Sequence, residues 1–231
     1  VYHKGATDLV NEMENRSEEY LLGQIRGAFP DHAIYAEESG HSGENKRHQW
    51  FVDPLDGTVN YAHGIPIWNV SIAYALDGEV QLGVVYDPSH EEMYAAERGK
   101  GATLNGSPIR PAQAERMIDA LLVTGFPYTI AAPGQVDPLE MFSRFARVGQ
   151  GMRRLGSAAL DLCYIAEGRL DGYWEVGLHP YDIAAGTLIC REAGGTVTRL
   201  DGSLDVLTAP CDVVAANPML HPLMLDVIQR S

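Results

Sequence analysis

Residues 50–58 read Trp-Phe-Val-Asp-Pro-Leu-Asp-Gly-Thr, and this stretch constrains the fold more than any other. The apolar run Trp50–Val52 predicts the end of a buried strand. The strand is expected to stop at Asp53 and Pro54, because proline cannot donate to a ladder. Asp53 and Asp56 then emerge three residues apart at a turn. Gly57 and Thr58 lead into a segment that can open a helix. Free N–H groups at a helix start favour an anion, and carboxylates beside an anion need a cation between them. Two aspartates and a phosphate together point to a Mg²⁺-dependent phosphate site. The alternative is ordinary turn chemistry, with both carboxylates solvated or capping.

Two other segments bear on the choice. Ile34-Tyr35-Ala36-Glu37-Glu38-Ser39-Gly40 ends a short apolar run in acids and a glycine. A strand end there could aim one glutamate at the same cluster, or form a surface loop with both solvated. In His179-Pro180-Tyr181-Asp182-Ile183-Ala184-Ala185-Gly186, Pro180 suits the first turn of a helix. Asp182 then stands near a helix N-terminus, where capping alone would explain it.

These three segments occur in order, accompanied by Asp8-Leu9-Val10, Gly83-Val84-Val85-Tyr86, Gly99-Lys100-Gly101-Ala102, Thr124-Gly125-Phe126-Pro127, Gly156-Ser157-Ala158-Ala159 and Glu192-Ala193-Gly194-Gly195. The set resembles the inositol monophosphatase family, in its bacterial form, within the lithium-sensitive Mg²⁺-dependent phosphatases, and it covers essentially the whole chain. The resemblance implies an α+β / α/β fold, a layered α-β-α-β-α sandwich. It also implies two to three Mg²⁺ ions: one on Glu37, Asp53 and the Leu55 carbonyl, a second on Asp53, Asp56 and Asp182, and a weaker third mainly on Glu37 and water. Asp53 would bridge the first two. Glu37 and Thr58 would orient the attacking water, the Gly57 and Thr58 N–H groups would cradle phosphate, and Asp56, Ala158, Glu175 and Asp182 would contact the substrate. Lys4 matches a lysine near the site, and Glu38 would stand behind the ligands. Millimolar lithium inhibition is implied as well.

Two departures from the family pattern stand out. The aspartate that pairs with the threonine of Asp-Gly-Thr is here Glu14, one methylene longer, so the pairing survives with a shifted carboxylate or orients water less well. The Trp of the family's Trp-Asp is Tyr181, which fills much of the same aromatic role. His179 is expected to be structural, since hard Mg²⁺ prefers oxygen. No Ser-His-Asp reading is supported: the G-x-S-x-G pattern is absent and Ser157 lies in Gly-Ser-Ala-Ala.

A chain of 231 residues, 45% apolar and 21% charged, can bury a substantial core. A formal charge of −14 argues against nonspecific binding to nucleic acid or an anionic membrane. No apolar run approaches the ~20 residues that span a bilayer. Three cysteines, Cys163, Cys190 and Cys211, without C-x-x-C spacing, give neither a disulfide framework nor a zinc site and suit a reducing cytoplasm. The chain opens at Val1 rather than Met, and the family carries another helix before this point, so the resemblance implies a trimmed start.

Helical periodicity predicts a helix over 7–29, with Val10, Met13, Leu21, Ile25 and Phe29 on one face and Pro30 at its end. Strands are expected at 33–36, 49–53, 67–76, 79–86 and 91–97, with hairpin turns at Asp77-Gly78 and Asn105-Gly106. The second half alternates: strands at 120–124, 152–155, 170–175 and 213–216, helices at 138–148, 157–167, 182–193 and 220–229. The break near 111–119 divides an N-terminal α+β part, 1–115, from a C-terminal α/β part, 116–231, packed as one unit.

The function so read is hydrolysis of inositol 1-phosphate by metal-activated water, in a chain expected to form a homodimer. The same chemistry on histidinol phosphate or fructose 1,6-bisphosphate is the alternative. So is a regulatory binding protein derived from the phosphatase, acting through a dimerisation surface that could include Arg153-Arg154. Glu175 in Tyr-Trp-Glu-Val-Gly favours a polyol, because a carboxylate accepts hydrogen bonds from hydroxyls. Its alternative is an exposed edge-strand charge.

Overall fold

The computed structural model describes residues 6–127 and 137–229. Helix α1 (Ala6–Ala28) is followed by β1 (His32–Ala36), β2 (Gly40–Ser42), β3 (Asn45–Asp56), the short helix α2 (Thr58–Ala62), β4 (Asn69–Leu76), β5 (Glu79–Asp87), β6 (Glu92–Glu97), β7 (Ala102–Leu104) and β8 (Ser107–Pro108). These strands form one sheet in the order β2-β1-β3-β4-β5-β6-β7-β8, antiparallel except between β1 and β3. Along β4, buried Asn69, Ser71, Ala73 and Ala75 alternate with half-buried neighbours, the period of a strand with one face in the core. The hairpin to β5 turns on Asp77 and Gly78 at φ 52° and 83°, as a primed turn requires.

The second half supplies β9 (Leu121–Thr124), α3 (Pro138–Val148), β10 (Gly151–Arg153), α4 (Ala158–Glu167), β11 (Gly172–Leu178), α5 (Pro180–Glu192), β12 (Thr196–Thr198), β13 (Cys211–Ala216) and α6 (His221–Gln229). Its sheet runs β10-β9-β11-β13-β12. Helices α4 and α5 lie between the two sheets, in a core that joins Val85 and Tyr94 of the first to Tyr173 and Val213 of the second. Helices α3 and α6 cover the far side through Phe145 and Met224 on Trp174 and Val214. Helix α1 covers the near side, Leu22 and Ile25 packing on Ile34, Ala36 and Val52. The layers are therefore α-β-α-β-α, as expected.

The expectation that the strand stops at Asp53-Pro54 is corrected. Strand β3 continues to Asp56, and its pairing with β4 slips between Asp53↔Ser71 and Asp56↔Asn69. Two residues, Pro54 and Leu55, oppose the single Val70. This is a β-bulge, where a proline without an N–H is tolerated. Strict alternation would put positions three apart on opposite faces of the sheet. The extra residue brings Asp53 and Asp56 onto the same face.

The inward face of α1 also differs from the expected one. Glu14 and Glu18 are buried with Leu22 and Ile25, while Phe29, just past the helix end, is 43% exposed. The short strands β2 and β12 were not anticipated; three residues carry too little periodicity to read.

Helix α5 approaches β5 so closely that a Cβ on Gly83 would lie 2.9 Å from the Ala185 carbonyl oxygen. Gly83→Ala is expected to cost about 1–3 kcal/mol, read as a fall in Tm of several degrees. Gly23→Ala in α1, where nothing lies within 4 Å of the new methyl, should hold or raise Tm by removing a helix glycine. Equal Tm values for Gly83→Ala and the parent would refute this packing.

Candidate active site

Three chain segments converge where the bulge faces α4 and α5. Glu37 follows the end of β1, its N–H donating to the Val52 carbonyl at 3.1 Å. Asp53 is 2% exposed, and its Oδ1 accepts from the Leu55 N–H at 3.0 Å. Asp182 is the third residue of α5, accepting the His179 N–H at 2.6 Å. Helix α5 thus starts with Pro180 in place and a carboxylate capping it, as the sequence predicts.

Asp56 is the most heavily held. Its Oδ2 accepts from the Ser157 hydroxyl at 2.6 Å, the Asn69 amide at 3.0 Å and the Ala159 N–H at 3.0 Å. A carboxylate from the first sheet thereby caps α4 of the second half, where the helix dipole favours negative charge. Ser157 itself accepts from Asn69 at 2.8 Å and from the Leu160 N–H at 3.3 Å. Its hydroxyl is occupied as a cap, consistent with its exclusion as a nucleophile.

Gly57 stands at φ +92°, and a Cβ there would lie 2.7 Å from the Ile67 carbonyl oxygen, so only glycine fits before Thr58 opens α2. The Thr58 hydroxyl donates to Glu14 at 2.7 Å and lies 3.2 Å from the Leu55 carbonyl. One proton cannot serve both, and the closer carboxylate takes it. The longer Glu14 therefore reaches Thr58.

The four carboxylates Glu37, Asp53, Asp56 and Asp182 all stand above their ordinary pKa values. Burial is the largest cause for each. For Asp53, held well above its usual range, the charges of Asp56, Glu37 and Asp182 follow. Glu37 is pushed up to about 7. Asp56 rises less far against the lowering hydrogen bonds from Ser157 and Asn69, and Asp182 stands well above its ordinary value despite the His179 N–H. Glu37 Oε2 is buried without a hydrogen-bond partner among the described residues.

Among the described residues no three such side chains form a ready-made ion cage. Glu37 and Asp53 stand close enough to shift each other's titration, the Asp53 proton favoured and the Glu37 proton disfavoured. The donor set, all oxygen with no sulfur or imidazole, suits a hard dication. The unpartnered Glu37 oxygen and the crowding of buried acids fit the same group.

Across a cleft of about 150 Å³, lined also by Ala158 and Leu55, stands Glu175. It is buried, not an exposed edge charge. The Tyr173 hydroxyl donates to its Oε2 at 2.7 Å, and burial pushes its pKa to about 7, with Asp56 acting in the same direction. A Cβ on Gly125 would fall 2.0 Å from Oε1, so this glycine makes room for the carboxylate. Arg154 lines the cleft and lowers the Glu175 pKa; Arg153 and Arg154 are both exposed. Glu38 is exposed, and only its backbone is held, its N–H and that of Ser39 donating to Glu18 at 2.9 Å each. Lys4 lies outside the described residues. His179 stacks on Tyr181, centroids 5.1 Å apart. Sequence reasoning missed Glu18, Asn69, Tyr173 and Gly125 as supports. The one available signal was two acids, Glu14 and Glu18, on a helix face that must be buried.

The sequence matches the model of the inositol monophosphatase family over residues 2–231. The chain belongs to the inositol monophosphatase family. It is 41% identical over 228 residues to inositol-1-monophosphatase of Mesorhizobium japonicum, covering 98% of this chain and 85% of that protein. To Nus factor SuhB of Pseudomonas aeruginosa it is 42% identical over 236 residues, covering 99% and 86%. The inositol monophosphatase structure from Anabaena superposes with a TM-score of 0.89 at 41% identity, covering 95% of this chain and 87% of that one. The inositol monophosphatase of Thermotoga maritima gives 0.82 at 33%, covering 93% and 81%. Membership in the inositol monophosphatase family supports phosphatase chemistry, and the family is generally metal-dependent. No helix among the described residues is long and apolar enough to cross a membrane.

Glu37 supplies a stability prediction for metal-free protein. A carboxyl whose folded pKa is raised favours the fold below its ordinary value and loses that contribution as pH rises through about 7. Glu37→Gln should therefore melt higher than the parent near pH 8 without metal, and the gap should close toward pH 5. A parent that melts higher than Glu37→Gln at pH 8 would show that Glu37 is not crowded by like charge.

Proposed function

We propose that this chain is a Mg²⁺-dependent phosphate monoester hydrolase whose substrate is a small phosphorylated polyol, inositol 1-phosphate foremost. The observation that carries the reading is the juxtaposition of four crowded carboxylates, with Asp53 buried among them, and the buried Glu175 across one cleft. Glu37, Asp53, Asp56, Asp182 and the Leu55 carbonyl would hold two to three Mg²⁺ ions, with Asp53 shared. Bound there, Mg²⁺ supplies charge neutralisation on the phosphate oxygens, acidifies water and stabilises the departing alkoxide.

The chain's own groups do the rest. Thr58, its proton committed to Glu14, would offer lone pairs to an attacking water, which Glu37 would help orient. The Gly57 and Thr58 N–H groups at the start of α2 are the phosphate cradle. Glu175, fixed by Tyr173, accepts from ring hydroxyls, with Ala158 and Asp182 alongside. Arg154, the one basic side chain among the described cleft residues, is the observation that keeps a bisphosphate in the comparison. The relatives named Nus factor SuhB support a second reading, a regulatory binding protein in a homodimer. Gel filtration with and without Mg²⁺, beside a phosphate-release panel of inositol phosphates, histidinol phosphate and fructose 1,6-bisphosphate, separates the readings. Release from none of these would defeat the hydrolase.

Glu175→Ala should lower kcat/KM for inositol 1-phosphate by roughly 1–3 kcal/mol, the value of hydrogen bonds to a charged group. Para-nitrophenyl phosphate, which lacks those hydroxyls, should be nearly unaffected. Equal losses on both would make the residue structural. Lithium should inhibit at millimolar levels, as an ion of similar size and lower charge in the weaker site. A flat rate across a Li⁺ titration at fixed Mg²⁺ removes that expectation.

A further inference from the structure

A second and larger cavity, about 520 Å³, lies at the opposite end of α5 from Asp182. Its size is that of a small-molecule pocket. Val80 from the β4–β5 hairpin, Leu188 of α5 and Val206 form an apolar floor, all buried. Two guanidiniums, Arg98 and Arg191, stand on its wall close enough to feel each other: partial burial first, and the Arg98 charge with it, hold Arg191 below its usual pKa range. Arg98 pairs with Glu79 at 2.6 Å. Arg191 donates only to the carbonyls of Val197 and Leu204, at 2.8 Å each, and no carboxylate among the described residues compensates it. Thr187, also on the wall, has a buried hydroxyl with no partner among the described residues.

The acids at the rim are already committed. Glu192 accepts the Gly99 and Gly101 N–H groups at 2.8 and 2.9 Å, and Asp205 accepts the Thr208 hydroxyl at 2.7 Å. Together with the negative end of the α5 dipole, they make the cavity a poor host for a bare, doubly charged phosphate. A weakly hydrated monoanion on a compact apolar body fits better, its charge between the guanidiniums and its body on the floor.

The same helix reaches the carboxylate cluster. Asp182 and Arg191 are nine residues apart, about 13 Å along a helix. Between them α5 is gripped on both sides, at Ala185 by Gly83 and at Gly186 by Leu162, where an added Cβ would meet atoms at 2.9 and 2.8 Å. A rod held at its middle tilts as one body, so a ligand that displaces its C-terminal turn displaces Asp182 as well.

We propose that this cavity is a second binding site, for a small organic carboxylate, and that its occupancy is coupled through α5 to the carboxylate cluster. Only the coupling rests on the proposed hydrolysis; occupancy of the cavity does not. Phenylacetate is the probe, titrated into the Mg²⁺-loaded full chain and followed by amide NMR, with sodium chloride at equal ionic strength as blank. Saturable shifts are expected at Gly78, Thr187 and Val206, weakened at least fivefold in Arg98→Gln, which loses an exposed ion pair to Glu79 and a long hydrogen bond to the Val80 carbonyl. Thr187→Val, nearly isosteric, should weaken binding a few-fold while melting at or above the parent. Hydrolysis by the parent should change at least twofold at saturation, and that of Arg98→Gln should not. Absent shifts, or equal affinity in parent and Arg98→Gln, would overturn the site. Full occupancy with an unchanged rate would overturn the coupling. A parent that binds phenylacetate but hydrolyses no phosphate would defeat the hydrolase reading and leave the site standing.

Discussion

One extra residue in β3 decides where the charge goes. With the bulge at Pro54 and Leu55, Asp53 and Asp56 share a face opposite Ser71 and Asn69; without it they would point to opposite sides of the sheet. That face looks onto the N-termini of α4 and α5, so the chain's own helix dipoles meet the acids it has concentrated. Asp56 satisfies the first turn of α4, and Asp182 satisfies that of α5. The end of β1 adds Glu37. Caps and hydrogen bonds offset part of the repulsion, and what remains appears as pKa values raised across the cluster. Strain of this kind persists where surrounding structure over-determines it. Here that structure is the core of α4 and α5 sealed between two sheets.

Much of this arrangement was legible because it is local. Asp-Pro-Leu-Asp-Gly-Thr states two acids, a glycine that must adopt positive φ, and a helix start. Pro180 and Asp182 state a helix beginning. The hairpin at Asp77-Gly78 and the alternation of β4 follow from period and turn chemistry. Pro54 misled for a physical reason: proline removes one ladder bond, and a bulge is the place where that bond is not needed. The inward face of α1 was misread because its buried positions include Glu14 and Glu18, and a hydrophobic pattern cannot see a carboxylate buried for its partner.

What was not legible lies far apart in sequence. Ser157 reaches Asp56 across 101 residues, and Glu18 holds the backbone of Glu38 across 20. Glu175 looked as though it could be an edge charge because nothing in Tyr-Trp-Glu-Val-Gly announces that Gly125 leaves room for it or that Tyr173, two residues earlier, caps it. These are supports rather than reacting groups. They turn a loop with acidic residues into a fixed cleft.

If the crowded carboxylates are a divalent-cation site held, without metal, by protons, then metal must displace those protons on binding. Calorimetric titration of Mg²⁺ in two buffers of different ionisation enthalpy tests it most directly. With Glu37 raised to about 7 and Asp53 held well above its usual range, binding near pH 6.5 must expel protons. The expected result is saturable binding with a buffer-dependent heat, a net proton release that fades toward pH 9, and loss of tight binding in Asp53→Asn. No Mg²⁺ binding by the parent, or binding with no proton release at pH 6.5, would contradict it.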